Sequence, residues 1–174
     1  MDDGFSGPFA STSLRDRPHL EPVFAIRLRF ERIQDFGALP SGGARGAVYI
    51  DDGTIEGPML KGRAVPNSGG DYALFRPDGV ISFDSVYALE ADDGTAILMR
   101  NRGYLWGRKP GVMARIRQWV TADGPPVDYA DYYLRAFPTF ECPSGPHEWL
   151  TRHVIVGIGE RQGDGNLIRY FALT

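Results

Sequence analysis

Cysteine is nearly absent. Cys142 is the only one in 174 residues, so no intrachain disulfide can form and nothing points to an oxidising compartment. Lysine is almost as scarce. Lys61 and Lys109 are the only two, and the rest of the 19 basic residues are arginines, which favours fixed, bidentate pairing with carboxylates over loose solvation. Basic excess is missing as well: the formal net charge is −3. Without a basic stripe, nucleic acid is excluded as the main partner. Long apolar runs are also missing. No stretch approaches the ~18 residues a membrane helix needs, and Met1 to Leu20 lacks the apolar segment of a signal peptide. These absences make a cytoplasmic protein with no membrane partner the expectation.

Chemical motifs are equally sparse. The three histidines, His19, His147 and His153, stand too far apart and in settings too different for a metal triad, so no metal site is expected. Ser68 lacks the surroundings of a nucleophile elbow. Neither Gly69-Gly70 nor Gly157-x-Gly159 opens a helix, so neither reads as a phosphate loop. Cys142 has no histidine partner nearby in sequence and reads as a buried thiol. No cofactor is implied.

What the chain does have is turns and short alternating strands. Gly, Ser, Pro and Asp fill residues 1–20 without periodicity, and we read them as an arm preceding one domain over 21–174. Val23 to Phe30 alternates strictly, with Phe24, Ile26, Leu28 and Phe30 on one face and Arg27 and Arg29 on the other. A loop over 34–45 is expected next. Gly46 to Ile50 then forms a strand, Asp51-Asp52-Gly53 carries hairpin chemistry, and Thr54 to Val65 resumes extended structure with an interruption at Gly57-Pro58. Lys109 to Ala122 alone has helical spacing, with Val112, Met113, Ile116, Trp119 and Val120 on one stripe and Pro110 at its start. Tyr129 to Phe137, Thr139 to Cys142, Arg152 to Gly159 and Asn166 to Leu173 read as further strands. The sum is an all-β domain: one antiparallel, closed or nearly closed barrel of about eight to ten strands with one short α-helix. A barrel is preferred over a sandwich because closure removes the edges that so many short strands would expose.

The centre of the chain is Gly69 to Gly103, three strands joined by the Pro77-Asp78-Gly79 and Asp92-Asp93-Gly94 turns. Asp71 follows two glycines; it suits acid–base work at a barrel mouth, or the closing of a turn. Asp84 sits mid-strand, where aspartate is disfavoured. Its parity groups it with Ser82, Val86 and Ala88, opposite Phe83, Tyr87 and Leu89. If the Asp84 face is the lumen, Asp84 lines a polar pocket; if not, it pairs with an arginine outside. Arg100 and Asn101 close the next strand, able to hold a substrate carboxylate or to tie neighbouring strands together. Tyr87, Tyr133 and Trp149, with Tyr132 and Phe140, make a candidate aromatic wall, and Glu141 a candidate mouth charge.

The order of these features resembles the domain-of-unknown-function family 3237. The likeness runs through Gly53, Gly57-Pro58, Gly62, Gly69-Gly70-Asp71, Phe83-Asp84-x-x-Tyr87, Asp92-Asp93-Gly94 and Arg100-Asn101-Arg102-Gly103. It continues in Tyr133 to Phe140, Trp149-Leu150 and Val156-Gly157-x-Gly159-Glu160-Arg161, and so covers Leu20 to the C-terminus. Two positions depart from it: Tyr72, where members often carry Trp, and Thr151, where they often carry Asn. The resemblance implies a compact barrel and a homo-oligomer, and little about activity. From the residues themselves we expect a small-molecule-binding barrel. A cofactor-independent isomerase, cyclase or lyase would use Asp71 and Asp84 as proton-transfer groups, with Tyr87, Arg100, Asn101, Tyr133, Glu141 and Trp149 holding an apolar or aromatic ligand. The alternatives are a non-catalytic binder and an oligomeric scaffold.

Overall fold

The computed structural model describes residues 18–174. The arm expected over 1–20 lies outside the described residues up to position 17. Its last positions are already structural: His19 exchanges backbone hydrogen bonds with Thr174 at 2.8 and 3.0 Å, and the first strand starts at Leu20.

Nine strands follow in chain order: β1 (Leu20–Ala38), β2 (Ala44–Glu56), β3 (Gly62–Ala64), β4 (Gly70–Phe75), β5 (Ile81–Ala91), β6 (Ala96–Gly107), β7 (Tyr132–Glu141), β8 (Ile155–Arg161) and β9 (Gly165–Leu173). Every pairing is antiparallel. The order runs β1, β9, β8, β7, β6, β5, then β3 and β4, then β2, which pairs back with β1. Strands β3 and β4 share one slot between β2 and β5. The result is a closed eight-position antiparallel barrel with one helix, 57% of it strand.

Two sequence expectations change. The first strand continues past Phe30 to Ala38 and pairs with β2, so the loop expected over 34–45 shrinks to the turn at its tip. The Asp51-Asp52-Gly53 hairpin signal is a bulge inside β2. Phe30 pairs with Ile50 and Arg29 with Asp52, leaving Asp51 extra. The extra residue lets both carboxylates reach Arg29, at 2.6 Å from Asp52 and 3.1 Å from Asp51.

The lumen is packed over most of its height. Phe24, Ile26, Leu28, Ile55, Leu89, Ile97, Met99, Ile155 and Ile168 converge there with almost no exposure. A short 3-10 turn at Glu148–Thr151 closes the lower end, burying Leu150 and setting Trp149 edge-on to Phe24. At the upper end lies α1 (Val112–Thr121). It begins two residues later than Pro110 suggested, because Gly111 adopts φ +79°, a conformation that glycine accommodates without strain. Val112 and Ile116 pack on Leu105, Tyr132 and Leu134.

One irregularity decides what faces the lumen. Ala64 pairs with Leu89, whereas Asp71 pairs with Ser85. Seven steps along the β3–β4 slot therefore match four along β5, and three residues are extra. An odd insertion inverts the strand's parity. Even-numbered Ala64 faces in before the break; odd-numbered Asp71 and Ala73 face in after it. Ser68 pins the break, its Oγ donating to the Val65 carbonyl (2.7 Å) and accepting from the Ala88 N–H (3.0 Å). Gly69 is dictated by contact, since a Cβ there would lie 1.8 Å from the Val86 carbonyl oxygen.

Candidate functional site

Above the apolar packing the lumen turns polar. The inversion at Val65–Gly69 brings Asp71 onto the row that Ser85 of β5 and Asn101 of β6 already occupy, since Asp71 pairs with Ser85 and Ser85 with Asn101. Tyr87 lies two residues from Ser85 on the same face, and Tyr170 of β9 is fully buried beside Phe24. From β8, Arg161 completes the set. Its parity follows Gly157 and Gly159, whose faces point inward against Tyr170, Ile168 and Leu134.

Asp71 has one structural duty. The β4–β5 ladder is open between Asp71 and Leu74, and Asp71 Oδ1 accepts the Asp84 backbone N–H at 3.0 Å. That bond, together with Ser85 and the more distant Arg161, draws its pKa down. Burial wins and pushes the carboxyl up to about 6. The residue keeps some solvent contact while its carboxyl sits among protein atoms, as expected at a mouth. A carboxyl poised near neutrality can both accept and return a proton.

Arg161 is held by neutral groups. Its backbone N–H donates to the Tyr132 hydroxyl (2.8 Å), Nη1 donates to Asn166 Oδ1 (3.0 Å), and the guanidinium lies 4.8 Å above the Phe30 ring. Burial lowers its pKa to about 10, with Tyr132, Asp71 and Asp164 opposing through space. It remains cationic at neutral pH, and its Nε has no hydrogen-bond partner.

Five more buried atoms lack a partner among the described residues: the Tyr87 and Tyr170 hydroxyls and Asn101 Oδ1 in the lumen, and Arg102 Nε and His147 Nδ1 away from it. The Tyr170 hydroxyl lies within hydrogen-bonding reach of the Tyr87 hydroxyl and the Asn101 side chain, and both contacts act on its pKa, yet neither is well aligned. Burial raises both tyrosine pKa values. Buried polar atoms are nearly always paired, so the four poorly satisfied atoms of this lumen, Arg161 Nε among them, stand out from the apolar packing below.

The remaining candidates lie elsewhere. Asp84 and Arg100 stand on the outer face, where Arg100 grips the Asp84 carboxylate at 2.6 and 2.8 Å; the lumen face of β5 is the Phe83–Tyr87 face. Tyr133 is also outside, stacked on Trp106 at 5.1 Å, with Arg135 4.9 Å from its ring. Glu141 is exposed and lines an outer hollow of about 450 Å³ with Leu98 and Cys142. Trp149 belongs to the lower plug. A second outer hollow, of about 550 Å³, lies between Asp78–Val80 and Trp106–Ala114, away from the polar row. Tyr72 faces outward and Thr151 caps its own turn by donating to the Glu148 carbonyl. Among the described residues, no three His, Cys, Asp or Glu side chains converge as metal ligands, and no helix is long and apolar enough to cross a membrane. Sequence reasoning missed Arg161, Ser85 and Tyr170; the alternation Gly157-x-Gly159-x-Arg161 was the available signal for the first.

Residues 18–173 match the model of a protein family described as protein of unknown function, DUF3237. The chain belongs to this family. A UPF0311 protein of Rhodopseudomonas palustris is 30% identical over 142 residues, 82% of this chain and 88% of that one. The crystal structure of a conserved protein of unknown function from Rhodopseudomonas palustris superposes with a TM-score of 0.82 at 26% identity, covering 91% of this chain and 99% of the other. An enzyme from Penicillium herquei shares the fold at a TM-score of 0.64 and 18% identity, over 92% and 100% of the two chains.

Proposed function

We propose that this DUF3237 barrel binds an apolar or aromatic small molecule at the polar upper part of its lumen and moves a proton on it through Asp71. The reaction class is a cofactor-independent isomerisation, cyclisation or elimination. One observation carries the reading: the pKa of Asp71 is pushed up to about 6 by burial, beside the orphaned Tyr87, Asn101 and Tyr170 atoms. A structural aspartate gains nothing from such a shift, whereas a proton-transfer group needs it. Tyr87 and Asn101 are placed to hold a carbonyl or hydroxyl oxygen of the ligand. Asp84, Arg100, Tyr133 and Glu141 are left out of this site because they occupy the outer wall. The Penicillium herquei enzyme supports the scaffold's suitability for catalysis and says nothing of the substrate.

Native mass spectrometry of freshly purified protein tests this reading. A retained small molecule is expected with both wild type and Asp71→Asn, and only wild type should convert it on standing or on addition of D₂O exchange it. An empty protein whose Asp71 titrates at the ordinary carboxylate value by carbon NMR would sink the proposal. Retention and no conversion by either protein would favour the non-catalytic binder.

A further inference from the structure

The orphaned charge in the lumen asks for a partner of a particular kind. Among the described residues Arg102 shares with Arg161 the unpartnered buried Nε and an aromatic neighbour, Phe137, while several other arginines meet carboxylates: Arg29 with Asp52, Arg63 with Glu90, Arg100 with Asp84, Arg115 with Asp131, Arg152 with Glu148 and Arg169 with Glu160. All of these paired guanidiniums are about half exposed or more, where pairing gains little. Arg161 is the reverse case. It is desolvated, where an unpaired charge costs most, and its contacts are an amide oxygen, an aromatic face and an unpartnered Nε. Asp71 and Asp164 act on it only through space.

We infer that Arg161 is the anion receptor of the site and that the ligand carries an acidic oxygen, a carboxylate or the oxyanion of a phenol or enol. This inference rests on the lumen being a ligand site, as proposed above, and names its substrate class. Phe30 holds the guanidinium plane and Asn166 holds Nη1, so the Nε edge is presented in a fixed orientation. An edge of that kind suits an oxyanion better than a neutral oxygen. The ligand's apolar body then lies toward Phe83 and Tyr87, and its reacting carbon toward Asp71. For a keto form of the ligand the same edge serves a proton-transfer step: Asp71 takes the proton of the carbon next to the carbonyl, the carbonyl oxygen becomes an enolate oxygen received by the guanidinium, and return of that proton to another position completes an isomerisation with no atom gained or lost.

The test uses the full chain and two matched probe pairs, benzoate against benzamide and 4-nitrophenolate against 4-nitroanisole, with binding followed by ligand-observed NMR and, for the dye, by absorbance. Wild type is expected to bind at least one anion about tenfold or more tightly than its neutral twin. Arg161→Gln should abolish that preference and leave the neutral twin's binding unchanged, and Arg161→Lys should retain part of it. Preference confined to the first pair assigns a carboxylate; preference confined to the second assigns a phenol or enol oxygen. If Arg161→Gln does not fold, Arg161→Lys is read in its place, and an undiminished preference there overturns the inference. Equal binding of anion and neutral twin, binding of neither, or a preference that survives Arg161→Gln overturns it too. Asp71→Asn separates the two readings. It removes a negative charge facing the anion, so the preference persists or grows. An Arg161-dependent preference beside an Asp71 that titrates normally would keep the receptor and remove the proton-transfer role.

Discussion

Asp84 with Arg100, and Asp71 with Arg161, use the same two side chains, the first pair on the outside of the barrel and the second inside it. Outside, the guanidinium and carboxylate close on each other at 2.6 Å, and Arg100 holds the Asp84 pKa below the usual carboxylate range. Inside, the two charges feel each other but form no direct pair. Asp71 is pushed up and Arg161 down, each chiefly by burial. The first pair is a finished interaction that tethers adjacent strands. The second is held open across a lumen by separate elements, each anchored on a neutral partner. Identical chemistry thus separates a closed ion pair from two buried, unpaired charges by distance and solvation alone.

The break at Val65–Gly69 creates that difference, so the largest effect is expected there. Gly69→Ala places a Cβ 1.8 Å from the Val86 carbonyl oxygen, a clash with the β5 backbone. A loss of about 3–5 kcal/mol in denaturant unfolding is expected. Any folded fraction should show Asp71 with an ordinary carboxylate titration, because its strand can no longer seat against β5. A stability close to wild type would mean that the inversion does not depend on this contact.

Asp71→Asn comes next, and its sign is the informative part. The folded pKa lies above the reference value, so the folded state binds the extra proton more readily than the unfolded chain between about pH 4 and 6. Stability is therefore lost as pH rises through that window. Asparagine keeps an acceptor for the Asp84 N–H and carries no charge. Above pH 6 the variant should be more stable than wild type by about 2–3 kcal/mol, the gap closing below pH 4, while turnover falls by about a hundredfold or more. A variant less stable than wild type at pH 8 would make Asp71 a purely structural acceptor.

Tyr87→Phe is expected to change stability by less than about 1 kcal/mol, on the gaining side, since it deletes a buried hydroxyl whose one neighbour, the Tyr170 hydroxyl, is poorly aligned with it. Ligand retention should weaken. A loss of about 2 kcal/mol or more in unfolding would mean that the hydroxyl is bonded within the fold, and the polar row would then be a closed structural network.

Much of this was readable in the residues. The alternation of Phe24, Ile26, Leu28 and Phe30 located a half-buried strand, and the parity that set Asp84 opposite Tyr87 is the parity the barrel uses. Which face was the lumen could not be read, because the outer wall of β6 and β7 carries apolar side chains too: Leu98, Tyr104 and Phe137 are all more than 40% exposed. Asp71 lies beyond an odd insertion that periodicity does not register. The Asp51–Gly53 bulge and a hairpin turn share the same residues, and only pairing with β1 tells them apart. Arg161 was hidden for a different reason. A strand end followed by Gln162 and Gly163 reads as solvated, whereas the Arg161 side chain lies over the Phe30 ring and bonds Asn166, contacts between distant strands that the local sequence does not show.

The smallest effect belongs to the outer pair, and it tests the comparison from the other side. Asp84 and Arg100 are 37% and 53% exposed, so water and salt screen most of their attraction. The folded pKa of Asp84 is depressed, which places its contribution above the reference carboxylate value and removes it only as pH falls through the folded pKa. At pH 7 Asp84→Asn should unfold nearly where wild type does. The small difference should vanish in high salt, and ligand retention and turnover should be untouched. The outer pair would belong to the site after all if Asp84→Asn abolished ligand retention in a folded protein. The Asp84 backbone N–H binds Asp71 Oδ1, so a route for such coupling exists. That bond is made by the main chain, which the substitution leaves in place, and this is why the expected effect on Asp71 is slight.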